Sequence, residues 1–344
     1  MSFNRFQPED FLISADSVAA GAFTGNIPTL TEFFTSSVQS SAASGQYYLN
    51  VFQSESSNTS AEIQFAIAFG DSAGSGSALF DSGIDGKSPS SVVYGQFQNI
   101  VLGDESLSFT YDDVTPGETN QYFYVISVNR ARYKGNILPG SMTLTLTNGS
   151  DTLSLTDNSS TTNTVSFNEA GRVFQMISGS SGSAYTGGSY SGNSSTYGSY
   201  GLFLPDIGTI LLNGPALDAS AGDGGGIGLS TGLTSNTNDS NPEKLYDAIV
   251  DGAAFTLNSQ EKITSDYVFV RARNSQFNYS ENPSFITGST GEVLYSDFVN
   301  APQTFITTVG LYNDSNDLLA VAKLSKPLKK DFTKEALIRV KLDF

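Results

Sequence analysis

The 344-residue sequence contains no cysteine, no histidine and no tryptophan. Without Cys there is no disulfide and no thiolate site, and the redox compartment leaves no mark on the sequence. Without His and Cys, Ser-His-Asp and Cys-His catalysis and the usual zinc sites are excluded. Charge is scarce too: 15% of residues are charged, against a usual share of about 25%. Bases are the scarcer sign, 17 Lys and Arg against 34 Asp and Glu, for a net charge of −17. Such a chain is a poor partner for nucleic-acid phosphates or an anionic membrane, which need clustered Lys and Arg. No window approaches 18 apolar residues, so no transmembrane helix is expected. Met1 to Arg5 leads into no apolar run, so no signal peptide is expected and the protein is read as made in a cytoplasm and not exported by these routes.

Ser, Thr, Asn and Gly take the place of the missing charge, a composition of short strands and turns, while 38% hydrophobic residues suffice for a core. The fold expected is all-β, with mainly antiparallel, sandwich-like sheets, one or two short helices and long Gly/Ser-rich loops. Composition divides the chain into an N-terminal arm (1–44), a β domain (45–177), Gly/Ser/Tyr-rich loops (178–240) and a C-terminal β domain (241–344) that opens with a helix over 241–252.

The cleanest strand pattern lies at the C-terminus. Thr304 to Tyr312 and Leu318 to Leu324 are apolar, β-branched runs joined by Asn313-Asp314-Ser315-Asn316-Asp317, residues that tolerate the left-handed conformation and read as a hairpin turn. Pro327, with no N–H for a ladder, is expected to close the second strand. Ile338, Val340, Leu342 and Phe344 then alternate with Arg339, Lys341 and Asp343, the pattern of a half-buried strand with Phe344 docked. Earlier, Ile63 to Phe69, Leu107 to Tyr111 and Tyr122 to Val128 read as strands, and Met142 to Leu155 as a hairpin around Asn148-Gly149-Ser150-Asp151. Val93, Phe97, Ile100 and Val101 have helical spacing despite Gly95. Thr29-x-x-Glu32 has the spacing of a capping box and predicts a short helix. The best helix is Asn241 to Gly252, with Asn241 as N-cap, Pro242 at N1 and Gly252 as the stop.

Three sets of residues are candidates for function. The first is the basic end: Lys323 to Phe344 holds seven Lys and Arg against three acids, so it is +4 and the remainder −21. This is either a solvated strand face or an interface that meets an acidic neighbour, such as another copy. The second is an echo: Tyr124 to Arg132 and Tyr267 to Arg273 are both apolar strands ending in Arg-Ala-Arg. Arg130 with Arg132, and Arg271 with Arg273, fall on one side of a strand, either as solvated ends or as clamps on carboxylates of a neighbouring subunit. The third is the low-complexity segment Ser178 to Gly201, a long loop whose Tyr185, Tyr190, Tyr197 and Tyr200 are either passive or contacts for a partner or glycan. Asp81 to Ser88 falls short of a phosphate loop, having Asp81 where Gly is needed and Pro89 where a helix should begin. Asn313, Asp314, Asn316 and Asp317 could hold Ca²⁺ but need no metal to form a turn. No acid pair stands out for glycoside cleavage, and no cofactor is implied.

Two blocks carry a family resemblance. One runs from Ser88-Pro89 through Val92 to Leu102, then Asn129 to Lys134 and Leu138-Pro139-Gly140. The other runs from Ser265 to Arg273, Phe277 to Ser280 and Asn282 to Phe285, then Thr308 to Asp314, Leu319 to Ser325 and the terminal strand. Together they resemble virion structural proteins of contractile-tailed marine cyanophages. The resemblance implies a non-enzymatic, multi-copy tail or baseplate component located in the virion, with other virion proteins and copies of itself as partners. On that reading Arg130, Arg132, Arg271, Arg273, Arg339, Lys341 and Phe344 are candidates for the assembly interface. A receptor-binding tail fibre that contacts host surface glycan, a neck or capsid-decoration protein, and a carbohydrate depolymerase are the rivals.

Overall fold

Along Tyr122–Val128 the side chains alternate between two apolar environments, so this strand must be covered on both faces. That requirement organises the larger of two compact units in a computed structural model, which describes residues 4–35, 48–76, 88–111, 121–162, 165–184, 197–221, 225–234, 240–280, 283–287 and 289–343. The units are Val18–Glu261 and, together, Met1–Ser17 with Lys262–Phe344. In chain order the strands up to the first boundary helix are β1 (Phe11–Gly21), β2 (Thr29–Leu30), β3 (Phe34–Thr35), β4 (Tyr48–Phe52) and β5 (Ile63–Asp71), followed by helix α1 (Pro89–Phe97). Next come β6 (Tyr122–Val128), β7 (Asn136–Ile137), β8 (Thr143–Asn148), β9 (Asp151–Asp157), β10 (Ser166–Asn168), β11 (Gly171–Ser180), β12 (Ser183–Ala184), β13 (Gly201–Leu204) and β14 (Thr209–Asn213). Helices α2 (Gly214–Asp218) and α3 (Asn241–Gly252) precede β15 (Phe255–Thr256) and β16 (Asn258–Ala272), and α4 (Ser296–Asn300) precedes β17 (Thr304–Tyr312), β18 (Leu318–Lys330) and β19 (Ala336–Asp343). With 45% of the described residues in strands, helices short and the sheets antiparallel, the chain is all-β.

In Val18–Glu261 one curled sheet runs in the order β2-β15-β8-β9-β11-β13-β14-β6-β5-β4-β3. Its main core takes Tyr124, Ile126 and Val128 of β6, Phe65, Ile67 and Phe69 of β5, and Leu144, Leu146, Leu153 and Leu155 of the β8–β9 hairpin, closed by Leu245, Ala248 and Ile249 of α3. The opposite face of β6 carries Phe123 and Val125 into a second core under α1. There Phe123 meets Tyr94, Phe97 and Phe109 with ring centroids 5.2, 6.2 and 5.0 Å away.

Several local expectations change. Pro89 is no obstacle to a helix; it stands in the first turn of α1, where its missing N–H has no partner to lose. The helix then widens into a π-turn over Gln98–Leu102. Thr29–Leu30 is a short strand paired with Phe255–Thr256 and not a helix, because the apolar edge of β15 outbids a weak capping signal. Phe109 and Tyr111 are buried as expected of a strand face, but they pack under α1 from an irregular segment. Helix α3 has the predicted bounds, yet Ser240 is its N-cap. Asn241 is buried and fixes two loops, donating to Gly76 O (3.1 Å) and Gly232 O (2.8 Å) and accepting from Gly232 N (2.9 Å).

In the smaller unit, β16 and β19 pair from Ser265↔Asp343 to Ala272↔Ala336, and β17 pairs with β18. Val268, Val309, Leu311 and Val340 form its core, with Ile338 and Leu342 packed against it. Pro327 does not end β18. The register slips between Ile306 and Thr308, whose partners are Leu328 and Lys323, and Pro327 sits in that unpaired stretch where no ladder N–H is needed. In the turn Asp317 N donates to Asn313 Oδ1 (2.7 Å), Asn313 Nδ2 donates to Asp317 Oδ2 (3.1 Å), and Asn316 takes φ 65°.

Two glycines test this packing. A Cβ on Gly252 would lie 2.0 Å from Thr145 O, whereas one on Gly95 of α1 would meet nothing within 4 Å. Urea unfolding is expected to show Gly252→Ala destabilised by about 2–4 kcal/mol and Gly95→Ala stabilised by about 0.5–1 kcal/mol. Equal stability of the two variants would contradict the close approach of α3 to β8.

Candidate functional site

The Arg-Ala-Arg echo is not one structure used twice. The second copy ends a strand, with Arg271 exposed in β16 and Arg273 exposed just beyond it. Arg271 Nη2 lies 3.9 Å from Asp10 Oδ1. The first copy, Arg130–Arg132, is a 3₁₀ turn held by Asn129, whose side chain accepts from Ala131 N. Its two guanidinium groups turn back into their own unit. Arg130 lies 4.6 Å from the Tyr133 ring centroid and donates to Tyr133 O. Arg132, its side chain 14% exposed, meets Glu62 at 2.5 Å and donates to Thr24 Oγ1. The hydrogen bond from Thr24, then that from Arg132, holds the Glu62 carboxyl below its ordinary range.

The basic end is likewise divided. Arg339 and Lys341 lie 5.3 and 6.0 Å from the Tyr267 ring centroid, and Lys341 pairs with Asp343 at 3.0 Å. Lys330 is fully buried and donates to Asn274 O (2.9 Å), Asn278 Oδ1 (2.9 Å) and Asp331 O (3.0 Å), closing the 274–278 turn onto β18. Lys323, Lys326 and Lys329 remain exposed along β18. Phe344 lies outside the described residues.

Of the four candidate tyrosines, Tyr185 and Tyr190 also lie outside the described residues. Tyr200 is no surface contact: it is fully buried in the main core and donates to Gly225 O at 2.6 Å. Tyr197 is 42% exposed and lines a cleft of about 540 Å³ in Val18–Glu261, with Asp71, Tyr122, Pro215, Asp218 and Leu233. Spacing alone could not separate the two, because Tyr200 immediately precedes β13 and enters the sheet.

The cleft opens where β5 and β6 meet α2. Asp71, the last residue of β5, accepts from Ser75 N at 2.8 Å and from the amides of Ala73 and Gly74. Burial nonetheless pushes its carboxyl up, since desolvation of the charge outweighs the amide bonds. Tyr122, the first residue of β6, donates to Asp218 Oδ2 at 2.9 Å, and its phenol is pushed up by burial and by the Asp218 charge. Asp218 Oδ1 accepts from both Thr231 N and Thr231 Oγ1, each at 2.8 Å. Gly214 backs the Tyr122 ring so closely that a Cβ there would lie 2.3 Å from ring atoms. Both carboxylates therefore hold the walls together. No Lys or Arg lines the cleft among the described residues, and no group of three or more acidic side chains there is placed to hold a metal. No described helix is long and apolar enough to cross a membrane.

One ion pair carries no local sequence signal. Arg172 grips Asp206 from 34 residues away, Nη2 at 2.6 Å and Nε at 3.1 and 3.2 Å, with its backbone N at 2.8 Å. Burial works to raise the Asp206 carboxyl, but the Arg172 hydrogen bonds and charge prevail and hold it below the ordinary carboxylate range. A lowered folded-state value means the contribution is complete above the unfolded value of about 3.9 and is lost as pH falls from there through the lower folded-state value. Asp206→Asn is expected to cost about 2–3 kcal/mol at neutral pH. Its deficit against the native protein should shrink between roughly pH 4 and lower values, as read from thermal melts; a pH-independent deficit would assign the loss to packing.

Compared with family models, curated proteins and solved structures, the chain matches none.

Proposed function

We propose that this protein is a non-enzymatic, multi-copy structural subunit, in keeping with the virion tail or baseplate role that its resemblance implies. The observation that carries the reading is the outer face of the β17–β18 hairpin. Val309 and Leu311 face the small core, so Gly310 and Tyr312, with their partners Val321 and Leu318, face outward. Leu319 and Val321 are 68% and 57% exposed, beside the exposed Lys323. Contiguous apolar surface of this kind marks an interaction site more often than scattered exposure does.

Charge selects a second copy as the occupant. Val18–Glu261 contains 22 Asp and Glu and six Lys and Arg, a net −16, while the hairpin carries Lys323, Lys326 and Lys329 at its surface. Contact between the hairpin of one copy and the acidic unit of another is heterologous, the geometry that builds rings or extended stacks. The non-enzymatic part of the proposal is supported by the cleft, where Asp71 and Asp218 are engaged by amides and hydroxyls. Partners are then other virion proteins and copies of this chain, with neck or capsid decoration as alternative locations.

Light scattering during size-exclusion chromatography is expected to show concentration-dependent oligomers that high salt weakens. Leu319→Lys with Val321→Glu should shift them to monomer, with a melting temperature matching that of the native protein at dilutions where the native protein is itself monomeric. A native protein that stays monomeric at all attainable concentrations, or a double variant that assembles normally, would remove the hairpin as the interface.

A further inference from the structure

The geometry points to the cleft bounded by Tyr122 and Tyr197 as a binding site for a neutral saccharide. Its volume, about 540 Å³, falls within the roughly 300–1,000 Å³ typical of small-molecule sites. Its walls are preorganised. The Tyr122 ring is fixed from behind by Gly214 and at its hydroxyl by Asp218, and Asp218 is fixed in turn by Thr231. An aromatic ring so held offers the carbons it exposes at little further entropic cost, the kind of surface on which the C–H face of a sugar ring settles. Pro215 and Leu233 extend that apolar surface, while Gln121 and Ser75 add groups that both donate and accept.

The chemistry of the walls discriminates among ligand classes. Among the described residues, phosphorylated or sulfated ligands meet two carboxylates and no cation. The carboxylates serve as wall struts, Asp218 held by Thr231 and Tyr122 and Asp71 by the amides of residues 73–75, and ligand hydroxyls can donate to the lone pairs that these bonds leave open. A neutral polyol suits what is left, since each of its hydroxyls donates and accepts. This inference is independent of the hairpin contact: the cleft lies wholly within Val18–Glu261, and the hairpin belongs to the other unit.

The full-length protein should be applied to an array of neutral and anionic oligosaccharides, and the best neutral binder titrated by calorimetry. Binding to neutral glycans is expected, and Tyr197→Ala should weaken it about tenfold or more. Tyr197 is partly exposed, so this variant should keep the native melting temperature; Leu233→Ala, also at an exposed position, should weaken binding in the same direction. As a control, Tyr279→Ala, an exposed tyrosine in the other unit, should leave affinity unchanged. No signal on the array, signal confined to anionic glycans, or equal affinity in folded Tyr197→Ala would each overturn the assignment.

Discussion

The two-sided burial of β6 is the constraint from which the larger unit follows. A strand that points Tyr124, Ile126 and Val128 one way and Phe123 and Val125 the other cannot leave either face to water. The curled sheet and α3 cover one face, and α1 with its π-turn covers the other. The ends of the same strand then set the chemistry around it. At its start Tyr122 is delivered to the cleft, and just past its end the chain turns through Arg130–Arg132 and back onto Glu62. Cleft and turn are thus by-products of how one strand is packed, which accounts for the rigidity of the cleft wall.

An acidic chain with few bases must satisfy its buried carboxylates by other means. Here the donors are mostly backbone amides and hydroxyls. Asp157 is fully buried and accepts from Gly140 N with both oxygens at 2.9 Å and from Ser159 N at 3.1 Å. Asp71 and Asp218 do the same at either side of the cleft, and Asp206 combines an amide with the Arg172 guanidinium. Amides are fixed by the fold and carry no desolvation cost of a counter-ion, so each carboxylate pins a loop where it stands. Ser- and Thr-rich composition is therefore part of the folding solution as well as a surface property.

Much of this was legible where the signal is local. The β17–β18 and β8–β9 hairpins, the alternation of β19 and the bounds of α3 all follow from side-chain period and turn chemistry over a few residues. What escaped depends on distant partners. Thr29–Leu30 becomes a strand because Phe255–Thr256 pairs with it, and Pro327 is tolerated because β17 slips opposite it. Tyr197 and Tyr200 are alike in sequence, yet one lines a cleft and the other fills the core. Arg130 and Arg132 resemble Arg271 and Arg273 letter for letter, and only the chain path separates a turn from a strand end. The cleft gathers residues from five separate stretches between Asp71 and Leu233, a set no motif could encode.

The smaller unit raises a different physical question, because its core is thin. Four buried apolar side chains, Val268, Val309, Leu311 and Val340, anchor it, while Phe305, Leu319, Val321 and Leu337 are exposed to water. A core this thin offers little apolar burial to offset the entropy of ordering the chain around it. Lys330 adds order by donating to three carbonyl-type oxygens, but a buried cation held only by neutral acceptors gains less than one paired with a carboxylate. An apolar partner on the outer face of the hairpin would remove from water the area that the unit cannot cover for itself. Since binding to the folded form alone adds to stability by mass action, the assembly proposed for this protein and the ordering of its hairpin would then be one equilibrium, with the face left bare in the free chain supplying the drive for both.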